Sequence, residues 1–169
     1  TFFDLVGAPE LEVEFVREVR ALRLRASTAR VHLALAGLPR FPAAADRDAL
    51  TGHIVIAPSP DYIERASDDA KYGSFSHRPL LDIVIPTLLD PVRAPAGAHL
   101  MSINVQYAPY RLAAGGWDDS REALLETVLD TLEGYAPGLR RLVTAANVHT
   151  PLDLERDYGL TGGHPLHGE

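Results

Sequence analysis

The sequence predicts an α+β domain, with one largely antiparallel (or mixed) sheet carrying helices on one face, ferredoxin-like in outline. Three observations carry this expectation. Residues 30–36 and 99–107 alternate apolar and polar side chains at the period of a half-buried strand. Segments starting near Pro9, Ser59 and Trp117 have helix signals, through apolar spacing or end residues. The order of elements, helix-strand-strand-helix-strand-strand-helix-strand, can be written between Val31 and Val148 as a split β-α-β with an extra hairpin strand.

The first helix is expected from Pro9 to Arg25, where Leu11, Phe15, Val19 and Leu22 form one stripe and Pro9 suits a first turn. Val31, Leu33 and Leu35 then share one strand face, opposite Arg30, His32, Ala34 and Ala36. Residues 39–52 read as a loop, followed by a short strand at His53–Ile56. The second helix has the clearest signals: Ser59 as N-cap, Pro60 at the first position, Asp61 at the positive end of the dipole and Gly73 as the stop. Leu80–Ile85 is a strand ended by Pro86, and 90–97 is a proline-rich connector. The strand His99–Tyr107 directs Met101, Ile103 and Val105 to one side, and Ser102, Asn104 and Gln106 to the other. A third helix follows Trp117, with Asp119 and Glu122 spaced as a capping box, and Leu142–Val148 supplies a last strand before a glycine-rich tail.

Composition narrows the function classes. A chain of 169 residues, 46% hydrophobic and 23% charged, suits one domain with a sizeable core. No apolar run approaches the ~20 residues of a membrane span. No signal peptide is visible, and the lack of an initiator Met suggests that residues precede Thr1. Net charge is −7, and Arg17, Arg20 and Arg23 sit beside Glu14 and Glu18, a solvated helix face rather than a nucleic-acid stripe. The absence of cysteine removes disulfides, thiolate metal sites and Cys nucleophiles, and fits a cytoplasmic setting.

No self-contained catalytic motif stands out. There is neither G-x-G-x-x-G nor a P-loop, and Gly115-Gly116 and Gly162-Gly163 lack the strand before and helix after that a nucleotide cradle needs. His164-x-x-His167, with Glu169 beyond, has a spacing a metal could use, but its Gly/Pro-rich setting favours a loop and no metal is expected. No G-x-S-x-G elbow is present, although a convergent Ser-His-Asp hydrolase remains a third reading. The distinctive feature is the Ser102, Asn104 and Gln106 face. It is either a solvent-facing side of the sheet or, with His32 and Ala34 from a neighbouring strand, the wall of a ligand cavity. A stand-alone ferredoxin-like module that binds a small ligand or dimerises through its sheet is the alternative function.

Several segments in order resemble the phytoene-desaturase-like branch of the amine-oxidase-type flavoproteins, which includes pyridine nucleotide-disulfide oxidoreductase domain proteins. They are Thr1–Val6, Ala29–Leu35 with Gly37–Phe41, Ile85-Pro86-Thr87, Asp90-Pro91, Ala94–His99, Gln106–Tyr110, Trp117-Asp118, Tyr135-Ala136-Pro137, Thr150–Arg156 and Gly159–Glu169. Arg30 and His32 depart from the family's Lys and Asn. The resemblance implies an FAD-dependent oxidoreductase or dehydrogenase in which this chain is the substrate-binding domain (1–150), with 151–169 leading back toward a missing FAD-binding domain of the same polypeptide. Both glycine-rich FAD segments of that family are absent, so the isolated chain is expected to bind no cofactor and to be inactive. The resemblance further implies that Ser102, Asn104, Gln106 and His32, and the tail residues Gly162, Gly163, His164 and His167, contact a small apolar or amphipathic substrate. It leaves the catalytic base unassigned and an oligomer possible.

Overall fold

A computed structural model describes residues 2–22, 24 and 26–165. The helices are α1 (Phe2–Leu5), α2 (Val13–Ala21), α3 (Pro60–Lys71), α4 (Trp117–Tyr135) and α5 (Pro151–Tyr158); the strands are β1 (Thr28–Leu35), β2 (Ile54–Ile56), β3 (Leu81–Val84), β4 (His99–Gln106) and β5 (Val143–His149). The sheet runs β2-β3-β4-β1-β5, and every neighbouring pair is antiparallel. Setting β2 aside leaves β3-β4-β1-β5, connected as two interlocked β-α-β units, which is the expected ferredoxin-like outline. The extra strand β2 pairs with β3 at the outer edge.

Strand alternation decides where the core lies. Val31, Leu33, Leu35, Ile83, Met101, Ile103 and Val105 are buried, and α4 meets them with Leu124, Val128, Leu129 and Leu132. α3 is capped as its sequence predicts: the Ser59 hydroxyl accepts from the Tyr62 amide at 3.2 Å, Pro60 opens the helix and Gly73 leaves it at φ 78°.

Three local expectations are corrected. Pro9 lies in a separate 3-10 turn, Ala8–Glu10; the chain then extends through Leu11 and Glu12, so α2 starts only at Val13. Asp119 is not an N-cap, because α4 already begins at Trp117 after Gly116. Tertiary packing sets that start: the Trp117 ring is buried, stacks on Phe75 at 5.7 Å and donates from Nε1 to the Pro109 carbonyl at 3.0 Å. The stretch read only as a tail, with no helix assigned to it, holds α5, opened by a full capping box between Thr150 and Asp153.

Candidate functional site

The second face of the sheet holds none of the core. β1 contributes Thr28, Arg30, His32 and Ala34; β4 contributes Leu100, Ser102, Asn104 and Gln106; β3 adds Asp82 and Val84, and β5 adds Ala145, Asn147 and His149. None of these residues is buried. Pairing lays them out in rows across the strands: Gln106 beside Thr28, then Asp82-Asn104-Arg30-His149, then Val84-Ser102-His32-Asn147, then Leu100-Ala34-Ala145. The face therefore grades from polar to apolar along the strand direction.

The structure brings four of the expected residues together: His32, Ser102, Asn104 and Gln106 share this surface, with Ser102 directly opposite His32. The Thr28 hydroxyl donates to Gln106 Oε1 at 3.2 Å. Asn104 Nδ2 points to Asp82 Oδ2 at 3.4 Å, while its Oδ1 is buried without a protein partner among the described residues. Asp82 is engaged on its other oxygen by His53 Nδ1 at 2.7 Å.

At the β5 side His32 and His149 meet edge-to-face with centroids 5.8 Å apart, and His149 Nε2 lies 3.3 Å from the Tyr158 hydroxyl. Burial of the His32 ring, then the charges of His149 and Arg30, hold its pKa below the usual 6.5. Protonating His32 therefore costs folded-state stability as pH falls through 6.5 towards the folded value, and the imidazole is neutral above that window. Replacing His149 by glutamine should raise the His32 pKa part of the way back, leaving the larger burial effect. Ring-proton NMR titration reads this directly, and an unchanged His32 midpoint would mean that the two rings do not interact.

The tail residues lie elsewhere. The Gly162 carbonyl accepts from the Ala26 amide at 2.9 Å, which places the tail beside the entry to β1, near the Thr28–Gln106 row. The Gly162 amide donates to Glu155 Oε1 at 2.7 Å, and Glu155 also accepts from the Tyr110 hydroxyl. Gly163 has a packing reason to be glycine: at φ 67° a Cβ would sit 2.1 Å from the Pro151 carbonyl oxygen. His164 follows on this turn, and His167 lies outside the described residues. Near the same end an open cleft of about 430 Å³ is lined by Ala26, Ser27, Lys71, Tyr107, Tyr110 and Arg111. Tyr107, directly after β4, takes φ 62°, the one described non-glycine residue in the left-handed region.

Sequence reasoning placed Arg30 on the His32 side of β1 but missed Asp82, Asn147, His149 and Tyr158. Strand alternation would have assigned each strand residue to a face, yet which strands are neighbours is a property of the sheet. Gly115 and Gly116, expected to have no helix after them, do stand between a strand and a helix: they end the loop from β4, and Gly116 is the N-cap of α4. The Gly163 backbone is packed against Pro151 instead of lining an open cradle. No cluster of three metal-ligating side chains occurs among the described residues.

No protein-family model matches the chain. It is similar along nearly all its length to pyridine nucleotide-disulfide oxidoreductase domain-containing protein 2 of Rattus norvegicus, at 36% identity over 177 residues, 99% of this chain and 30% of that protein. The chain is homologous to one part of a larger protein. The Mus musculus protein of the same name matches at the same 36%, again over 99% of this chain and 30% of its own length. The chain thus spans about 30% of the length of these curated relatives. No described helix is long and apolar enough to cross a membrane.

Proposed function

We propose that the chain is the substrate-binding domain of a larger FAD-dependent oxidoreductase of the phytoene-desaturase-like type, and that its open sheet face forms one wall of the substrate cavity. The observation that carries this is the face itself. In a domain with a well-packed core, a whole sheet surface is left unburied and passes from Asn104 and Arg30, through the row of Val84, Ser102 and His32, to Leu100, Ala34 and Ala145. A surface graded in this way suits a small apolar or amphipathic molecule lying along the strands. Homology to part of an oxidoreductase-domain protein supplies the class of chemistry.

FAD, when bound by the rest of the polypeptide, would supply the two-electron chemistry. The residues of this chain bind and orient the substrate. Arg30, Asn104 and Ser102 offer hydrogen bonds at the polar end, the alkyl side chains exclude water at the other, and neutral His32 between them can accept a proton at a ring nitrogen.

Histidine footprinting with diethyl pyrocarbonate tests whether the face is enclosed. In the isolated chain His32 and His149 should react. In the FAD-loaded longer polypeptide both should be protected several-fold, while exposed His77 reacts equally in the two samples. Equal labelling of His32 in both would leave the face open to solvent and favour the stand-alone ligand-binding or dimerisation module.

A further inference from the structure

The arginines of this chain differ in what they pair with. Among the described residues three are half-buried, Arg30, Arg121 and Arg140, and the others are exposed. Arg121 engages Asp153 and Asp118, and Arg140 engages Glu126 and Asp130. Each of these partly desolvated guanidinium groups thus has two carboxylates, as withdrawing a charge from water requires. Arg30 is the exception. It makes no hydrogen bond or ion pair among the described residues.

Its place in the sheet accounts for this. Arg30 lies between Asn104 on β4 and His149 on β5, an amide and an imidazole, and neither is a counter-ion. The carboxylate in the same row, Asp82, stands on β3, two strand spacings or about 10 Å away along the sheet, and is already engaged by His53 at 2.7 Å. The next residue of β1 on this face is His32, whose protonation Arg30 opposes. The polar end of the face therefore carries one uncompensated permanent positive charge, in a chain of net charge −7.

Water solvates Arg30 while the face is open. Enclosing the face removes that water, and a guanidinium left unpaired in such a cavity is costly. We infer, on the reading of the face as a cavity wall, that Arg30 receives the head group of the substrate, which is a carboxylate-bearing amphiphile lying along β1. A carboxylate matches the guanidinium in charge and takes both arms of its fork. A phosphate, with close to two negative charges, would meet only a single permanent cation. From Arg30 to Ala34 the strand rises about 13 Å, past His32 to the Leu100-Ala34-Ala145 row, which receives the apolar body.

The test uses decanoate, decanol and decyl phosphate, which share a chain and differ in head group. Their binding to the longer polypeptide is measured by titration calorimetry for wild type, Arg30→Gln and Arg30→Lys, with flavin content determined on the same preparations. Wild type should bind decanoate roughly ten- to a hundredfold more tightly than decanol, with decyl phosphate weaker than decanoate. Arg30→Gln should remove that preference and leave decanol binding unchanged. Arg30→Lys should keep part of it, because the charge stays and the fork is lost. Failure of wild type to bind decanoate, or equal binding of decanoate and decanol, would overturn the inference whether or not the variants fold. Tighter binding of decyl phosphate would also overturn it, as would a decanoate preference that survives Arg30→Gln. In the last case a lowered melting temperature of Arg30→Gln would identify the counter-ion as a carboxylate in the rest of the polypeptide. A decanoate preference on a polypeptide without flavin sinks the oxidoreductase reading alone, and flavin without the preference sinks this inference alone.

Discussion

Replacing Asp153 by alanine is expected to destabilise the chain by about 2–3 kcal/mol, because it breaks a partly buried ion pair, whose Arg121 side is open to solvent screening, and a helix cap together. Asp153 is 8% exposed and receives both arms of the Arg121 guanidinium, at 2.6 and 2.9 Å. Its Oδ2 also accepts from the Thr150 amide and hydroxyl, each at 2.7 Å, while the Asp153 amide donates back to the Thr150 hydroxyl at 3.3 Å. Arg121 further donates to the Val148 carbonyl at 2.6 Å, so one guanidinium joins α4, the end of β5 and the first turn of α5. Asp153→Asn keeps an acceptor for the cap but loses the charge, and should recover only part of the loss.

Acid should expose the same group. Burial alone would raise the Asp153 pKa, but the hydrogen bonds from Arg121 and Thr150 and the Arg121 charge outweigh it and bring the value from 3.8 down to about 2. The folded carboxyl is the stronger acid, so its stabilisation is fully present above pH 3.8 and is lost as pH falls from there through 2. The amplitude is about 2 kcal/mol. Denaturant melts of wild type and Asp153→Asn across that window should converge at the acid end. Parallel curves would show that Asp153 is not the titrating group.

Gly163→Ala should cost about 2–5 kcal/mol, and Gly159→Ala provides its control. Both glycines have φ 67°, so the alanine backbone penalty, about 1–2 kcal/mol, is common to the pair. Around Gly159 a new Cβ meets nothing within 4 Å, whereas at Gly163 it would lie 2.1 Å from the Pro151 oxygen and 2.9 Å from its carbonyl carbon. Neither atom can yield without moving the first turn of α5. The difference between the two variants isolates this clash, and equal losses in urea melts would mean that the tail does not cross Pro151 this closely.

Much of the fold was legible because its signals are local. Alternation over 30–36 and 99–107 reflects the two central strands, whose one-sided burial leaves a period of two in the sequence. Ser59, Pro60 and Gly73 delimit α3 because each meets a backbone requirement of a helix end. The misread ends are those set by distant contacts. α4 starts where Trp117 finds Phe75 and Pro109, which no capping pattern encodes. α5 is too short to show a helical period, although Thr150-Pro151 followed by Asp153 is a start signal in its own right.

The candidate site divides the same way. The residues of β4 and β1 that share a face follow from alternation, but Asp82, Asn147 and His149 join them only through register. Gly162 and Gly163 drew notice as a glycine pair, and the structure gives Gly163 a steric reason rooted in the approach to Pro151.

The central claim is that this chain supplies one wall of a flavin enzyme whose cofactor site lies in the rest of the polypeptide. Flavin stoichiometry is its most direct test, measured by visible absorbance and released-FAD fluorescence on the purified longer polypeptide and on residues 1–169 alone. The account predicts stoichiometric FAD on the longer polypeptide and none on the isolated chain, even after incubation with excess FAD. Tight flavin binding by the isolated chain, or a folded longer polypeptide that takes up no flavin, would contradict it.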